Sequence, residues 1–273
     1  MLFAVPNVSE GRDPTAIMGI AQAFAATPGV KLLDTHSDPD HHRSVFWLAA
    51  REPGLLAEAL VQGAQEAVGW IDLTEPRGIH PHVGALDVAP FVYLDDAGRG
   101  AACAEALLAA SRLGEEVGLP VYLYGDLAGG RTRAELRRGG LKALRTIPPD
   151  FGPREPDPRK GAVLVGARRS LVAFNFEIDG DEEIASAVAR EIRELPGVVA
   201  LGLWLDTAEV AQVSVNVEDH QAMPLARLLD EVRSRARVRE AELVGLAPAS
   251  AFESWPDDVP IRHRRTIEDA LGS

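Results

Sequence analysis

The chain has 273 residues and a formal net charge of −13, from 28 basic and 41 acidic side chains. Hydrophobic residues make up 46% and charged residues 25%, enough apolar content to bury a core of one large or two moderate domains, so a disordered chain is excluded. The acidity argues against a nucleic-acid partner, which would need a basic surface, and reads as a solvated coat.

Leu2–Val5 reads as a strand ended by Pro6-Asn7, too short and uncharged for a signal peptide. Asp13-Pro14 is a helix start, with Ala16–Ala26 as the helix and Pro28-Gly29 as its stop. Val30–Asp34 is a strand leading into a histidine-rich loop, followed by a strand over Ser44–Ala49. Leu55–Val68 has helical periodicity, with Leu56, Ala59, Leu60, Gly63, Ala64 and Ala67 on one side. Ala85–Leu94 is a strand, Ala101–Val117 an alanine-rich helix ending at Gly118, and Val121–Tyr124 a short buried strand. The one cysteine, Cys103, lies in the apolar run of that helix, so no intrachain disulfide can form, as suits a reducing cytoplasm. Thr132–Arg138 and Leu141–Arg145 read as short helical turns. No apolar run reaches bilayer length, and no membrane partner is expected.

The segment 148–161 holds five prolines and two glycines, which makes it a domain linker or an ordered loop over a site. Beyond it, Leu171–Ile178, Asp181–Leu195, Val198–Leu205, Val210–Val217, Pro224–Arg237 and Ala241–Gly245 alternate as β-α-β-β-α-β, the split plan of a ferredoxin-like sandwich. The fold class expected is α/β (α+β). It has two subdomains, 1–166 and 167–273, of mixed sheets covered by helices, the second ferredoxin-like, with a ligand groove between them.

Five of the seven histidines fall between positions 36 and 82. They stand in two runs, Asp34-Thr35-His36-Ser37-Asp38-Pro39-Asp40-His41-His42-Arg43 and Gly78-Ile79-His80-Pro81-His82-Val83-Gly84. Imidazole titrates near neutrality, so histidines crowded with carboxylates in Pro/Gly loops point to chemistry. Their nitrogen and oxygen donors would suit a transition metal, but the spacing matches no metal signature. No Gly-x-Ser-x-Gly elbow and no phosphate-binding glycine loop is present. Acid–base work on a small molecule remains, with His80 held extended by Pro81, and Asp34 or Asp38 to orient it. A surface loop of titrating histidines stays open beside it.

The motifs taken together resemble the glutamate formimidoyltransferases (formiminotransferases). The resemblance rests on Val5-Pro6-Asn7-Val8-Ser9-Glu10-Gly11-Arg12, on Asp38-Pro39-Asp40-His41-His42-Arg43-Ser44-Val45 and on Gly78–Asp87. It continues through Pro120–Gly125, Asp150–Pro153, Gly161–Arg168 and Gln212–Asn216, over about the whole chain. It implies transfer of a formimidoyl group from N-formimidoyl-L-glutamate to nitrogen 5 of tetrahydrofolate, in histidine degradation. His80 falls on the family's catalytic histidine. Asp34 and Asp38 would stabilise the cationic formimidoyl group. Arg43 and Arg12, with Asn7, His36 and His82, are the candidate substrate-binding residues. The folate segment falls on Gly152, Pro153 and Gly161, with Tyr124 or Phe151 to stack on the pterin. Acid–base catalysis of this kind needs no metal. His82 stands where the family usually has arginine, Ile79 where it has glutamate, Val83 where it has methionine and His42 where asparagine is common. His36 takes a position that is aspartate in the animal enzymes. The arginine-to-histidine change leaves a formyl donor or another amino-acid donor as the alternative, besides a metal-dependent hydrolase built on the His/Asp loops. The resemblance also implies a homodimer; the cytoplasmic expectation comes from the single cysteine and the lack of a signal-like or membrane-length run. With the sequence ending at Ser273, any cyclodeaminase acting next is expected as a separate protein.

Overall fold

The computed structural model describes residues 1–75 and 78–272. The chain divides into two units, Met1–Arg169 and Ser170–Ser273. In the first, β1 (Leu2–Ala4) and β2 (Asn7–Val8) follow one course, and each pairs with the same two neighbours. Helix α1 (Pro14–Ala25) starts as its sequence demands: the Asp13 carboxylate accepts the Thr15 and Ala16 amides and Pro14 takes the first turn. A hairpin of β3 (Lys31–Asp38) and β4 (Arg43–Ala50) follows, then α2 (Leu55–Trp70) and β5 (Leu86–Tyr93). Helix α3 (Arg99–Arg112) ends in a π turn over Leu113–Val117. Then come β6 (Val121–Gly125), the short helices α4 (Arg133–Arg137) and α5 (Gly140–Leu144), and β7 (Val163–Arg169).

The sheet order is β1-β4-β2-β5-β7-β6, with β3 on the outer side of β4. Strands β5, β7 and β6 run parallel, so β7 enters the sheet between two strands that precede it. The proline-rich segment therefore lies inside this unit and is an ordered loop, since the chain after it returns to the same sheet. Strand β7 also continues three residues past Gly166.

Helices α1, α2 and α3 cover one face of the sheet. Ile20, Phe24, Leu56, Leu60, Ala106 and Leu113 meet Phe46, Leu48, Phe91, Val163 and Val165 there. A Cβ at Gly63 would stand 2.1 Å from the Phe24 ring, so α1 and α2 approach closely because α2 has no side chain at that position. Buried Glu105 of α3 accepts the Gly54 amide at 2.7 Å and the Ala57 amide at 3.0 Å, supplying the cap that Gly54 cannot give α2. A smaller core of Val83, Val88, Tyr122, Tyr124, Ala162 and Leu164 is closed by Leu136 of α4 and Leu144 of α5.

The second unit contains β8 (Val172–Ile178), α6 (Glu182–Ile192), β9 (Val198–Leu205), β10 (Val210–Val217), α7 (Leu225–Arg233) and β11 (Val238–Leu243). The strands order as β11-β8-β10-β9 with every pair antiparallel, the arrangement a ferredoxin-like chain path requires. Asp181 caps α6, as expected. Helix α7 stops at Arg233, four residues short of its predicted end, and the chain after it joins β11 instead. A short β12 (Ile261–Arg262) adds to β11 in parallel, and α8 (Ile267–Leu271) follows behind a Thr266/Asp269 capping box.

Candidate active site

The two histidine runs meet. The β3–β4 hairpin turns at Pro39–His42, and the Gly78–Gly84 loop lies against that turn, with the Ile79 amide donating to the Asp40 carbonyl at 3.2 Å. The close approach needs Gly78, where a Cβ would stand 2.6 Å from both the Asp40 oxygen and the His42 Cβ. The His41 and His80 rings face each other with centroids 5.9 Å apart. At its far end the His80 loop is stitched to the end of the proline-rich loop. Gly84 bridges Gly161, the Ala85 amide donates to the Lys160 carbonyl and the Ala162 amide to the Val83 carbonyl, both at 2.9 Å. Ser9, beyond β2, donates its hydroxyl to the Gly84 carbonyl at 2.8 Å.

Beneath His80 lies an ion cluster centred on Asp87, which is 0% exposed. Its Oδ1 accepts the Val83 amide at 2.7 Å, and its Oδ2 accepts from Arg43 at 2.7 Å and from Arg137 of α4. The Arg43 Nε donates to the Asn7 side-chain oxygen at 2.9 Å, and Asn7 in turn donates to the Val5 carbonyl at 2.8 Å. Arg43 is thus buried and pinned from two sides. Burial lowers its pKa to about 10, with Arg137 and Arg133 adding to the fall and Asp87 opposing it. The Asp87 carboxyl is held well below the usual carboxylate range: burial alone would raise it, and the two guanidiniums and the Val83 amide outweigh that.

The His80 Nδ1 lies 2.8 Å from the Pro81 carbonyl oxygen and 3.4 Å from an Arg43 terminal nitrogen. A carbonyl oxygen only accepts and a guanidinium only donates; the Pro81 contact is the shorter, 2.8 Å against 3.4 Å, so Nδ1 is assigned the proton and Nε2 the lone pair. Burial of the ring, then the charges of Arg43 and Arg137, push its pKa well below the ordinary histidine value; Asp87 resists. The imidazole is therefore neutral at pH 7, with Nε2 ready to take a proton.

Asp38 accepts the amide of His41, the residue whose ring faces His80, at 2.7 Å. Asp34 pairs opposite Trp47, four residues up β3 from Asp38 and thus about 13 Å away along the strand. His36 is a buried strand residue opposite Val45, not a loop residue. His42 accepts the Gly11 amide at 3.0 Å and approaches Glu10 at 3.3 Å, a structural role in the turn. The His82 Nδ1 is 3.4 Å from the His80 carbonyl. Arg12 is exposed and donates its Nε to the Pro39 carbonyl at 2.8 Å.

Of the folate candidates, Gly161 sits against the His80 loop. Phe151 packs on the helix-side core, and Gly152 is a packing glycine whose Cβ would stand 2.2 Å from the Leu119 carbonyl oxygen. Pro153 is exposed. Tyr124 is only 3% exposed, with the Arg133 guanidinium 5.9 Å above its ring, so that face of the ring is already covered. Among the described residues, no three of His, Cys, Asp and Glu converge as metal ligands. No helix among them is long and apolar enough to cross a membrane. Sequence reasoning passed over Asp87 and Arg137. A carboxylate inside the apolar run Ala85-Leu86-Asp87-Val88-Ala89 was the available signal for the first; Arg137 offered none.

Comparison with known proteins identifies the family to which this fold and site belong. Residues 1–168 match the formiminotransferase domain, N-terminal subdomain, and residues 173–255 match the formiminotransferase domain. The chain belongs to this family. It is 36% identical to the glutamate formimidoyltransferase of Streptococcus pyogenes serotype M1, over 91% of this chain and 89% of that protein. Identity to the glutamate formimidoyltransferase of Thermoplasma acidophilum is 34%, over 92% and 89%. The formimidoyltransferase-cyclodeaminase of Sus scrofa is 37% identical over 92% of this chain, which spans 51% of that longer protein.

Proposed function

We propose that the chain moves a formimidoyl group from N-formimidoyl-L-glutamate to nitrogen 5 of tetrahydrofolate, with His80 as the acid–base group. The observation that carries this is the setting of His80: its Nδ1 lies 2.8 Å from the Pro81 carbonyl oxygen, which leaves Nε2 to accept, and the ring stands beside Arg43, Arg137 and Asp87. Nitrogen 5 attacks the formimidoyl carbon and Nε2 takes its proton. The tetrahedral intermediate then collapses as the glutamate nitrogen leaves with its bonding pair, and His80 returns the proton to it. An imidazolium crowded by two guanidiniums is a strong acid, which suits the second step. The two transfers cancel, so His80 ends as it began, and the reaction as drawn needs no metal.

On this reading folate lies along the Gly152–Gly161 loop, with its reacting end toward Gly161 and His80, and Pro153 and Phe151 further along. Asp38 and His41 line the approach from the hairpin, and the partial charges there favour a cationic formimidoyl group; Asp34 acts at longer range. Asn7 holds Arg43, which acts on His80 and Asp87. His82 borders the donor, with Arg12 on the hairpin turn and buried His36 in β3 behind that border. The same reading has the protein working in the cytoplasm as a homodimer, with any cyclodeaminase as a separate partner; light scattering of purified protein checks the dimer.

Purified protein given tetrahydrofolate and N-formimidoylglutamate should yield 5-formimidoyltetrahydrofolate, and His80→Ala should cut turnover roughly 10²- to 10⁴-fold with its melting transition retained. Product from a formyl donor but none from the formimidoyl donor would assign a different donor. An unaltered rate in His80→Ala would remove His80 from the chemistry.

A further inference from the structure

Two polar groups beside the Asp87 cluster have no role in the reaction drawn above. The Arg137 Nε and the Tyr124 hydroxyl are both buried and have no hydrogen-bond partner among the described residues. They belong to one wall: Tyr124 of β6 packs in the same small core as Leu136, the residue preceding Arg137 on α4. Arg133, one turn earlier on α4, lies over the Tyr124 ring. The Arg137 side chain as a whole is 15% exposed, and its terminal nitrogen is bound to Asp87.

Both orphans are donors. Nε of a guanidinium can only donate, and a phenol donates readily. Two guanidiniums, Arg43 and Arg137, already share the single carboxylate of Asp87, and Arg133 is close enough to depress Arg43 further. A ligand group that suits this wall accepts at two points and carries negative charge. A carboxylate does both; an amide would bring donors of its own and no charge. We propose that Arg137 and Tyr124 form a carboxylate-binding subsite for the amino-acid half of the donor. This deepens the proposed function and rests on it. It also assigns the donor's anchor to Arg137 of α4 and Tyr124 of β6 in place of Arg43 and Arg12. Arg43 is committed to Asp87 and Asn7, and Arg12 donates to the hairpin turn.

The subsite is tested without turnover by calorimetric titration with glutarate, a dicarboxylate that carries no transferable group. The intact chain should bind it saturably. Arg137→Gln and Tyr124→Phe should each weaken binding at least tenfold, and Arg137→Lys should keep part of it. Tyr124→Phe removes one oxygen, so it guards against a misfolded Arg137 variant. In kinetics, the ratio of kcat/KM for N-formimidoylglutamate to that for formamidine, which has no carboxylate, should fall at least tenfold in Arg137→Gln. Glutarate binding that is absent, or equal in all variants, overturns the subsite. So does an unchanged ratio with both donors slowed together, which would leave Arg137 only positioning Asp87. Arg137-dependent glutarate binding in a protein that transfers from no donor would sink the proposed reaction and keep the subsite.

Discussion

His80 and Asp87 pull against each other through Arg43 and Arg137, and that balance sets the pH behaviour of the site. The folded chain holds His80 deprotonated where the unfolded chain, with a value near ~6.5, binds a proton. The unfolded state then carries more protons, so His80's contribution to stability declines as pH falls below about 6.5. The acid limb of the kcat/KM profile should accordingly lie below pH ~6.5; a limb at or above the ordinary histidine value would contradict the cluster's effect on the ring. Asp87→Asn should destabilise the fold by about 3–5 kcal/mol in denaturant titration, because it strands buried Arg43 without its carboxylate. Since Asp87 supports the protonated imidazole, the same change should move the acid limb lower still in any variant that folds. His80 was legible in the sequence because Pro81 and the flanking glycines are wasted on a mere packing histidine. Asp87 was not, since a strand residue's ion partners come from β4 and from a helix 50 positions away, and neither distance shows in local pattern. Arg137 sits among Arg131, Arg133 and Arg138, where a functional guanidinium looks like any solvated one.

At the scale of elements, periodicity located nearly every helix and strand that builds the core, and it failed where pairing overrides propensity. Thr35–Asp38 reads as loop because Ser, Asp and His are poor strand formers. It is strand because Thr35, His36, Ser37 and Asp38 each pair in register with Phe46, Val45, Ser44 and Arg43. The hairpin is what brings His41 to His80, so the misread element is also the one that assembles the site. Helix α2 shows the converse, a clear helix with a hidden support. Its first amides are held by Glu105 from α3, and Glu105→Ala should cost about 1–3 kcal/mol through one buried and one half-buried amide left unpaired. Equilibrium denaturation measures this, and an unchanged midpoint would show that water replaces the cap.

Across the whole molecule the two units have separate cores, one closed by α1–α3 and the other by α6 and α7. The second has all four strands and both helices of its plan within its own residues. A fragment of residues 170–273 should therefore fold by itself, with a cooperative thermal transition followed by circular dichroism; a featureless melt would show that its stability comes from elsewhere. The first unit lacks this independence of order. Its strand β7 lies between β5 and β6 and is the last of the three in the chain. A ribosome making this protein releases β5 and β6 well before the strand that joins them, and Gly161, which fixes the histidine loop, comes only just ahead of it. Until about residue 169 has cleared the exit tunnel, the nascent chain has its helices and its β3–β4 hairpin but no finished active site. His80 is translated early and its loop is completed late, so premature termination between His80 and β7 leaves a product with the histidine present and its loop unsupported on the Gly161 side.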